Sequence, residues 1–215
     1  MSDNPRLKLV FLGTPAIAVP ALRALAGAGH RLALVVTQPD RPAGRGRRVG
    51  RGAVAAAADA LGLGVVQPAR VREVIDRVAQ ERPDALAVMA FGQLLPPELL
   101  AIPRLGAVNV HTSLLPALRG AAPIQRALMN GLNETGVTTM RMDAGLDTGA
   151  VLLRRATPIG PQETAGLLAQ RLAGIGAELL VETLAGLAAG GGPSPPPPRT
   201  SPWPAWPRGW ARTRA

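Results

Sequence analysis

The sequence predicts an α/β fold built on an open, mostly parallel sheet, and three observations carry that prediction. Short continuous apolar runs recur at Leu7–Leu12, Leu32–Thr37, Ala85–Ala90 and Ala107–Val110. Runs of this length without alternation suit strands buried on both faces, as in a parallel sheet covered by helices. Between them lie stretches with apolar residues at helical spacing, such as Val71, Val74, Ile75 and Val78, so strand and helix alternate as in linked βαβ units. Turn signals, Gly13-Thr14-Pro15 first among them, separate the elements.

Taken in order, Leu7–Leu12 reads as the first buried strand, and Pro15 is set for an early helix position. A helix is expected over Ile17–Ala28, interrupted by Pro20 near its start and ended by Gly29. The strand Leu32–Thr37 completes a Rossmann-like opening. That opening lacks GxGxxG, and Gln38-Pro39 replace the acid that would hold a ribose hydroxyl, so dinucleotide binding is not expected. Val54–Leu61 reads as a helix, Gly64–Val66 as a short strand, Arg70–Gln80 as an amphipathic helix and Ala85–Ala90 as the fourth strand. After Ala107–Val110, Ala121–Met129 reads as a helix, and Val137–Met142 with Ala150–Arg155 as a strand pair. Glu163–Ala189 is a long closing helix, which Gly174 and Gly176 should loosen by roughly 1 kcal/mol each relative to alanine.

With 215 residues, 47% of them hydrophobic, the chain suits one α/β domain plus something smaller. It has no cysteine, which excludes disulfides and cysteine-ligated metal and fits a reducing compartment. No apolar run approaches the ~20 residues that span a membrane. Leu7–Leu12 is too short for a signal segment, so a cytoplasmic enzyme is expected. The net charge is +10, and Lys8 is the only lysine. Such a balance suits a polyanionic partner. Arg41, Arg45, Arg47, Arg48 and Arg51 crowd one stretch against the single acid Asp40. Arginines between glycines suit phosphate oxygens, and the same composition suits a solvated loop.

The chemistry concentrates in GAVNVHTSLLPALRG, residues 106–120, and MDAGLDTG, residues 142–149. Asn109 and His111 alternate with Val108 and Val110, so on a strand they share a face near its carboxyl end, where open α/β sheets place their ligands. With a carboxylate from the second segment, Asp143 or Asp147, they form an amide, an imidazole and a carboxylate suited to acyl transfer. The amide donates to an oxyanion, the imidazole donates or shuttles a proton, and the carboxylate orients the imidazole. A histidine at a strand end also serves structural roles, and aspartates in glycine-rich turns commonly serve the turn. The residues alone leave both readings open for His111 and for Asp143 and Asp147.

NVHTSLLP, then RGAAPIQRALMNG and TGVTTMRMDAGLDTG, closely resemble the folate-dependent formyltransferases. FLGTPAIAVPAL, VVTQPDRPAGRGRR and AFGQLLP extend the resemblance over roughly residues 6–190 in one unbroken order. It is strongest to the branch that formylates initiator methionyl-tRNA. The resemblance implies a formyltransferase-type Rossmann-like sheet, with residues 1–190 as the catalytic domain. It implies formyl transfer from 10-formyltetrahydrofolate, with no metal required, to the α-amino group of methionine on initiator tRNA, in translation initiation. It gives Asn109, His111 and Asp147 the catalytic roles, Ser113, Leu114, Leu115 and Pro116 the folate-binding loop, and Arg41, Arg45, Arg47 and Arg48 contact with tRNA. Phe91-Gly92-Gln93 would border the folate site, with Phe91 equally suited to core packing. Ala117 and Leu118 depart from the basic and aromatic residues common in the family, which should weaken substrate contacts.

After Gly190 the character changes. Residues 191–198 read as a Gly/Pro linker. In the family a β-barrel domain that binds tRNA follows such a linker. Here residues 199–215, RTSPWPAWPRGWARTRA, are too few for a barrel and hold all three tryptophans. The expectation is a frameshifted or disordered tail with the barrel absent; the alternative is a tail whose arginines and tryptophans contact RNA. The expected protein is a monomer with initiator methionyl-tRNA and folate as partners and no membrane. Rival readings are a formyltransferase for a small amine such as glycinamide ribonucleotide or an amino sugar nucleotide, a hydrolase that sends the formyl group to water, and a non-catalytic folate- or RNA-binding remnant.

Overall fold

Seven strands form the central sheet: β1 Lys8–Gly13, β2 Arg31–Val36, β5 Val65–Val66, β6 Ala85–Met89, β7 Ala107–His111, β8 Glu134–Arg141 and β9 Val151–Pro158. The computed structural model of the chain describes residues 6–43 and 48–190. The strand order is β5-β2-β1-β6-β7-β8-β9. The first five strands run parallel, β8 is antiparallel to β7, and β9 is antiparallel to β8. This is the mostly parallel α/β sheet that the apolar runs predict. Chain order reverses between β1 and β6, and the crevice above the carboxyl ends of the strands at such a point is where open α/β sheets bind ligands.

The period-2 geometry of a strand sends alternate side chains into two cores. Leu9 and Phe11 of β1, Ala87 and Met89 of β6 and Val108 and Val110 of β7 enter one core. It is covered by α1 Val19–Gly27, α2 Ala53–Ala60 and α6 Ala165–Ala188. Val10 and Leu12, Leu86 and Val88, and Ala107 enter the other, covered by α3 Ile75–Glu81 and α4 Pro97–Leu100. Ala107 thus shares its face with Asn109 and His111, as the alternation requires. Ile124 of α5, Pro123–Met129, joins the first core.

Several boundaries differ from the sequence expectation. Pro20 does not interrupt the first helix but lies in its first turn, where its missing N–H costs no hydrogen bond; a 3-10 turn at Ala16–Ala18 precedes it. The third helix also opens as a 3-10 turn, Val71–Val74. The strand pair is longer than expected because β8 and β9 pair from Glu134–Pro158 to Met140–Val151. A short antiparallel pair, β3 Pro42–Ala43 with β4 Arg48–Val49, was not expected within the arginine stretch. Gly176 does more than loosen α6: a Cβ there would sit 2.9 Å from Val110 Cγ1, so glycine lets the helix lie against β7. Thr164 caps α6, accepting from the Leu167 N–H. Among the described residues no helix is long and apolar enough to cross a membrane. The expected linker and tail, 191–215, lie outside the described residues.

Candidate active site

Asn109 and His111 reach the carboxyl end of β7 on one face, and both line a cavity of about 460 Å³. The loop between β8 and β9 brings Asp147 to the same cavity. The structure therefore gathers the amide, imidazole and carboxylate from positions up to thirty-eight residues apart. Asn109 is half-buried, and its side-chain amide has no hydrogen-bond partner among the described residues, which leaves its N–H donors open to the cavity. His111 and Asp147 are largely withdrawn from solvent, at 8% and 11% side-chain exposure.

The histidine–aspartate pair is indirectly held. His111 Nδ1 lies 3.6 Å from Asp147 Oδ2, too far for a hydrogen bond. His111 Nε2 lies 3.0 Å from the Leu118 carbonyl oxygen, which can only accept, so Nε2 donates. Asp147 Oδ2 accepts from the Gly120 N–H at 2.8 Å. Residues 118–120 thus hold both partners through their backbone. Oxygen acceptors thus face both ring nitrogens. Asp143 closes the turn before Asp147, accepting from the Gly145 N–H at 3.0 Å and the Thr148 hydroxyl at 2.7 Å.

The backbone around the cavity is strained. Ala90, Leu118, Ala122 and Asp147 have φ of 49°, 56°, 56° and 52°. Non-glycine residues avoid this region, at a cost of roughly 1–2 kcal/mol each. Sequence gave no sign of this at Ala90, Leu118 or Ala122, which are not the residue types that favour it. Gly120, at φ 83°, does carry that sign.

The rest of the wall is mainly apolar, with Ile17, Phe91, Leu94, Met140, Met142 and Leu146 contributing, and Gln93 and Thr112 are polar members of it. Methionines lend such a wall adaptability. Sequence reasoning had marked only Phe91-Gly92-Gln93 of this lining. Phe91 also packs in the second core, and its carbonyl accepts from the Thr14 hydroxyl at 3.0 Å and Gln38 Nε2 at 2.9 Å. These bonds tie the ends of β1, β2 and β6 together beneath the cavity. The signal lay in the GTP and TQP turns, whose polar residues had no assigned role.

Ser113, Leu114, Leu115 and Pro116 do not line this cavity. Ser113 Oγ donates to the Ala117 carbonyl at 2.6 Å. Thr138 Oγ1 donates to the Ser113 carbonyl at 2.7 Å and accepts from the Leu115 N–H at 3.0 Å. Arg154 Nη1 donates to the Leu115 carbonyl at 3.1 Å. The Leu115–Pro116 bond is cis. Leu115 is buried, while Pro116 is exposed.

The arginine stretch divides. Arg51 is held at its base by Asp59 at 2.8 Å, by Asp40 at 3.6 Å and by Gln67. The Gly52 N–H and the Gln67 amide, with Arg51 beside them, hold the Asp40 carboxyl below the usual range. Arg41 is exposed and donates to Gln38 Oε1 at 3.0 Å. Arg45, Arg47 and the side chain of Arg48 lie outside the described residues.

Comparison with known proteins places the chain. Residues 7–184 match the family described as formyl transferase. A methionyl-tRNA formyltransferase of Solibacter usitatus is 54% identical over 186 residues, covering 86% of this chain and 60% of that protein. One of Halorhodospira halophila is 56% identical over 184 residues, covering 85% and 59%. The chain thus spans about 60% of the length of these curated relatives. Among solved structures, the phosphoribosylglycinamide formyltransferase of Bacillus halodurans superposes with a TM-score of 0.72 at 22% identity, covering 85% of this chain and 95% of that one. A formyltetrahydrofolate deformylase of Pseudomonas syringae gives 0.71 at 16%, covering 86% and 62%. At such identities these two likenesses speak for the fold alone.

Proposed function

This chain belongs to the formyl transferase family, and on that footing we propose that it transfers a formyl group from 10-formyltetrahydrofolate to the α-amino group of methionine on initiator tRNA. The observation that carries the reading is the convergence of Asn109, His111 and Asp147 on one apolar-walled cavity, in a chain about half identical to curated methionyl-tRNA formyltransferases. The cavity suits a flat heterocycle with an apolar flank, since its walls are mainly apolar and Gln93 and Thr112 are among its lining. The bound folate supplies the formyl group.

In this proposal the Asn109 amide donates to the formyl oxygen as it gains charge under attack by the amine. His111, protonated, adds a second donor there after releasing the Leu118 carbonyl. Asp147 steadies that imidazolium and helps move the proton from the attacking nitrogen to the leaving nitrogen. Residues 113–116, which do not line the cavity, would meet the part of the folate that extends beyond it, and Arg41, Arg45, Arg47 and Arg48 would grip phosphates of the tRNA. We further propose that residues 1–190 are the catalytic domain and that the protein works in the cytoplasm as a monomer.

The test is formylation of methionyl initiator tRNA by the 215-residue chain with 10-formyltetrahydrofolate, over a range of tRNA concentrations. Turnover abolished by His111→Ala is expected. Formylation of glycinamide ribonucleotide or an amino sugar nucleotide with tRNA untouched, release of formate alone, or folate binding without any turnover would each overturn the tRNA reading.

A further inference from the structure

The peptide segment that holds the catalytic pair also presents a cation to solvent. Leu118 accepts from His111 through its carbonyl, Gly120 donates to Asp147 through its N–H, and Arg119 lies between them. The Arg119 side chain is exposed and has no carboxylate partner among the described residues. Arg51, Arg72, Arg77, Arg104, Arg155 and Arg171 are each in an ion pair, whereas Arg119 shares its lack of one with exposed arginines such as Arg23, Arg31 and Arg70; what distinguishes it is its place between the two peptide groups that hold His111 and Asp147. Next to it, Gly120 and Ala121 line the cavity, while no lysine or arginine among the described residues does. The segment is confined by left-handed conformations at Leu118, Gly120 and Ala122, so it has two flanking strained peptides and little slack.

The His111–Asp147 separation of 3.6 Å makes this arrangement informative. In the free protein the two side chains are not hydrogen-bonded to each other but to Leu118 and Gly120, the two ends of one three-residue segment. A shift of a few tenths of an ångström in that segment changes both contacts together. A guanidinium at its apex is well suited to deliver such a shift, because it grips phosphate oxygens in pairs with fixed geometry.

We propose that Arg119 is a positioning residue that senses the acceptor: it binds a phosphate of the acceptor RNA and, through the Leu118 and Gly120 peptide groups, brings His111 and Asp147 into register. This inference rests on the reading that the acceptor is an RNA. It places part of the substrate selection on the histidine side of the cavity, separate from the Arg41 stretch, and makes completion of the catalytic pair depend on the acceptor.

The chain has two histidines, and His30, which directly precedes β2, lies at the opposite edge of the sheet from His111. Imidazole nitrogen resonances of the labelled full chain therefore give one reporter and one internal control. Adding initiator methionyl-tRNA is expected to move the His111 signals and leave those of His30 in place. Arg119→Gln is expected to weaken tRNA binding about tenfold and to reduce the salt slope of log K by about 1. At tRNA concentrations that restore saturation, the His111 shift should still be missing. Arg119→Lys should recover the salt slope. Arg31→Gln, an exposed arginine at the opposite edge, should alter neither. Failure of the unaltered chain to bind tRNA would overturn the RNA reading and this inference with it. Binding that leaves the His111 signals unmoved would overturn the coupling alone. An Arg119→Gln chain with unchanged affinity and unchanged shifts would remove Arg119 from the site while leaving the RNA reading intact.

Discussion

The two ends of the parallel strands are built differently. At the amino end, the charged groups of Lys8, Glu81, Asp84 and Arg104 are closed on one another or on the backbone. Asp84 accepts from the Lys8 N–H at 2.7 Å and from Arg104 Nε at 2.6 Å, and Lys8 pairs with Glu81 at 3.1 Å. At the carboxyl end, four non-glycine residues are left-handed, the Asn109 amide has no partner among the described residues, and His111 and Asp147 face each other across 3.6 Å. Arg82, at φ 45°, is the remaining left-handed non-glycine residue among those described, and it ends α3 near the closed edge. The contrast teaches that one end is arranged for stability and the other holds groups in reserve for a ligand.

The largest effect that tests this contrast is on turnover. Asn109→Ala should lower the formylation rate ~100-fold or more, since a donor to a developing oxyanion typically contributes ~2.7–4 kcal/mol. Folate binding should be largely retained and the melting temperature little changed, because no protein group loses a partner. A variant that turned over at a near-normal rate would show that the free amide is not held for catalysis.

How much of this was legible beforehand depends on the range of the forces involved. The strands of the parallel sheet were legible because burial on both faces writes itself locally as Val, Leu and Ala runs. Asn109 and His111 were legible as a same-face pair because strand geometry fixes that relation. Their meeting with Asp147 came from resemblance to a family, since no local rule links residues 111 and 147. The strain at Leu118 and Ala122 was illegible, as leucine and alanine disfavour the conformation they adopt and only tertiary contacts impose it. Arg51 looked like one more free cation because its partners Asp59 and Gln67 lie on α2 and beyond β5, eight and sixteen residues away. The β3–β4 pair, made of proline, alanine, arginine and valine, has no alternation to announce it.

At the closed edge the expected effect is on stability. Burial would push the Asp84 carboxyl up, but the Lys8 N–H and the Arg104 and Lys8 charges outweigh it and hold the carboxyl below the usual range. Asp84→Ala leaves the Lys8 N–H without its acceptor and should cost about 1–3 kcal/mol in urea unfolding, with catalytic parameters of the folded enzyme unchanged. The carboxylate's contribution is present above its unfolded pKa of 3.8 and lost as pH falls through the lower folded value, so the variant and parent should converge in strong acid. A change in kcat of the same order as the change in stability would show that the two edges are not independent.

His30 gives a second probe of the same edge in a higher pH window. It is buried, its Nδ1 accepts from the Leu7 N–H at 3.3 Å, and Nε2 has no partner among the described residues. Burial pushes its pKa below 6.5. A depressed folded pKa means that the unfolded chain takes up the proton first. The stability tied to neutral His30 is therefore present above pH 6.5 and declines as pH falls through the folded value. Each pH unit in that window can remove at most about 1.4 kcal/mol. Unfolding curves of the parent should weaken between pH 6.5 and the onset of carboxylate titration, and His30→Gln should flatten that decline. Parallel curves for the two proteins would mean that the buried ring is not what titrates.

The smallest effect discriminates most directly between the edges. Replacing a left-handed residue by glycine removes a backbone penalty of roughly 1–2 kcal/mol and adds roughly 0.5–1 kcal/mol of unfolded-state entropy, so Arg82→Gly and Ala122→Gly should each be neutral or stabilising by up to about 1.5 kcal/mol. If strain at the carboxyl end only reflects how the chain turns there, the two substitutions should behave alike in every assay. If it keeps residues 118–122 in one conformation beside His111, Ala122→Gly should widen the states open to that segment and lower kcat several-fold, without loss of stability. Arg82→Gly, far from the cavity, should leave kcat as it is. Equal kcat for both variants, with equal stability, would make the left-handed cluster a feature of loop geometry alone and return the burden of positioning to the hydrogen bonds at Leu118 and Gly120.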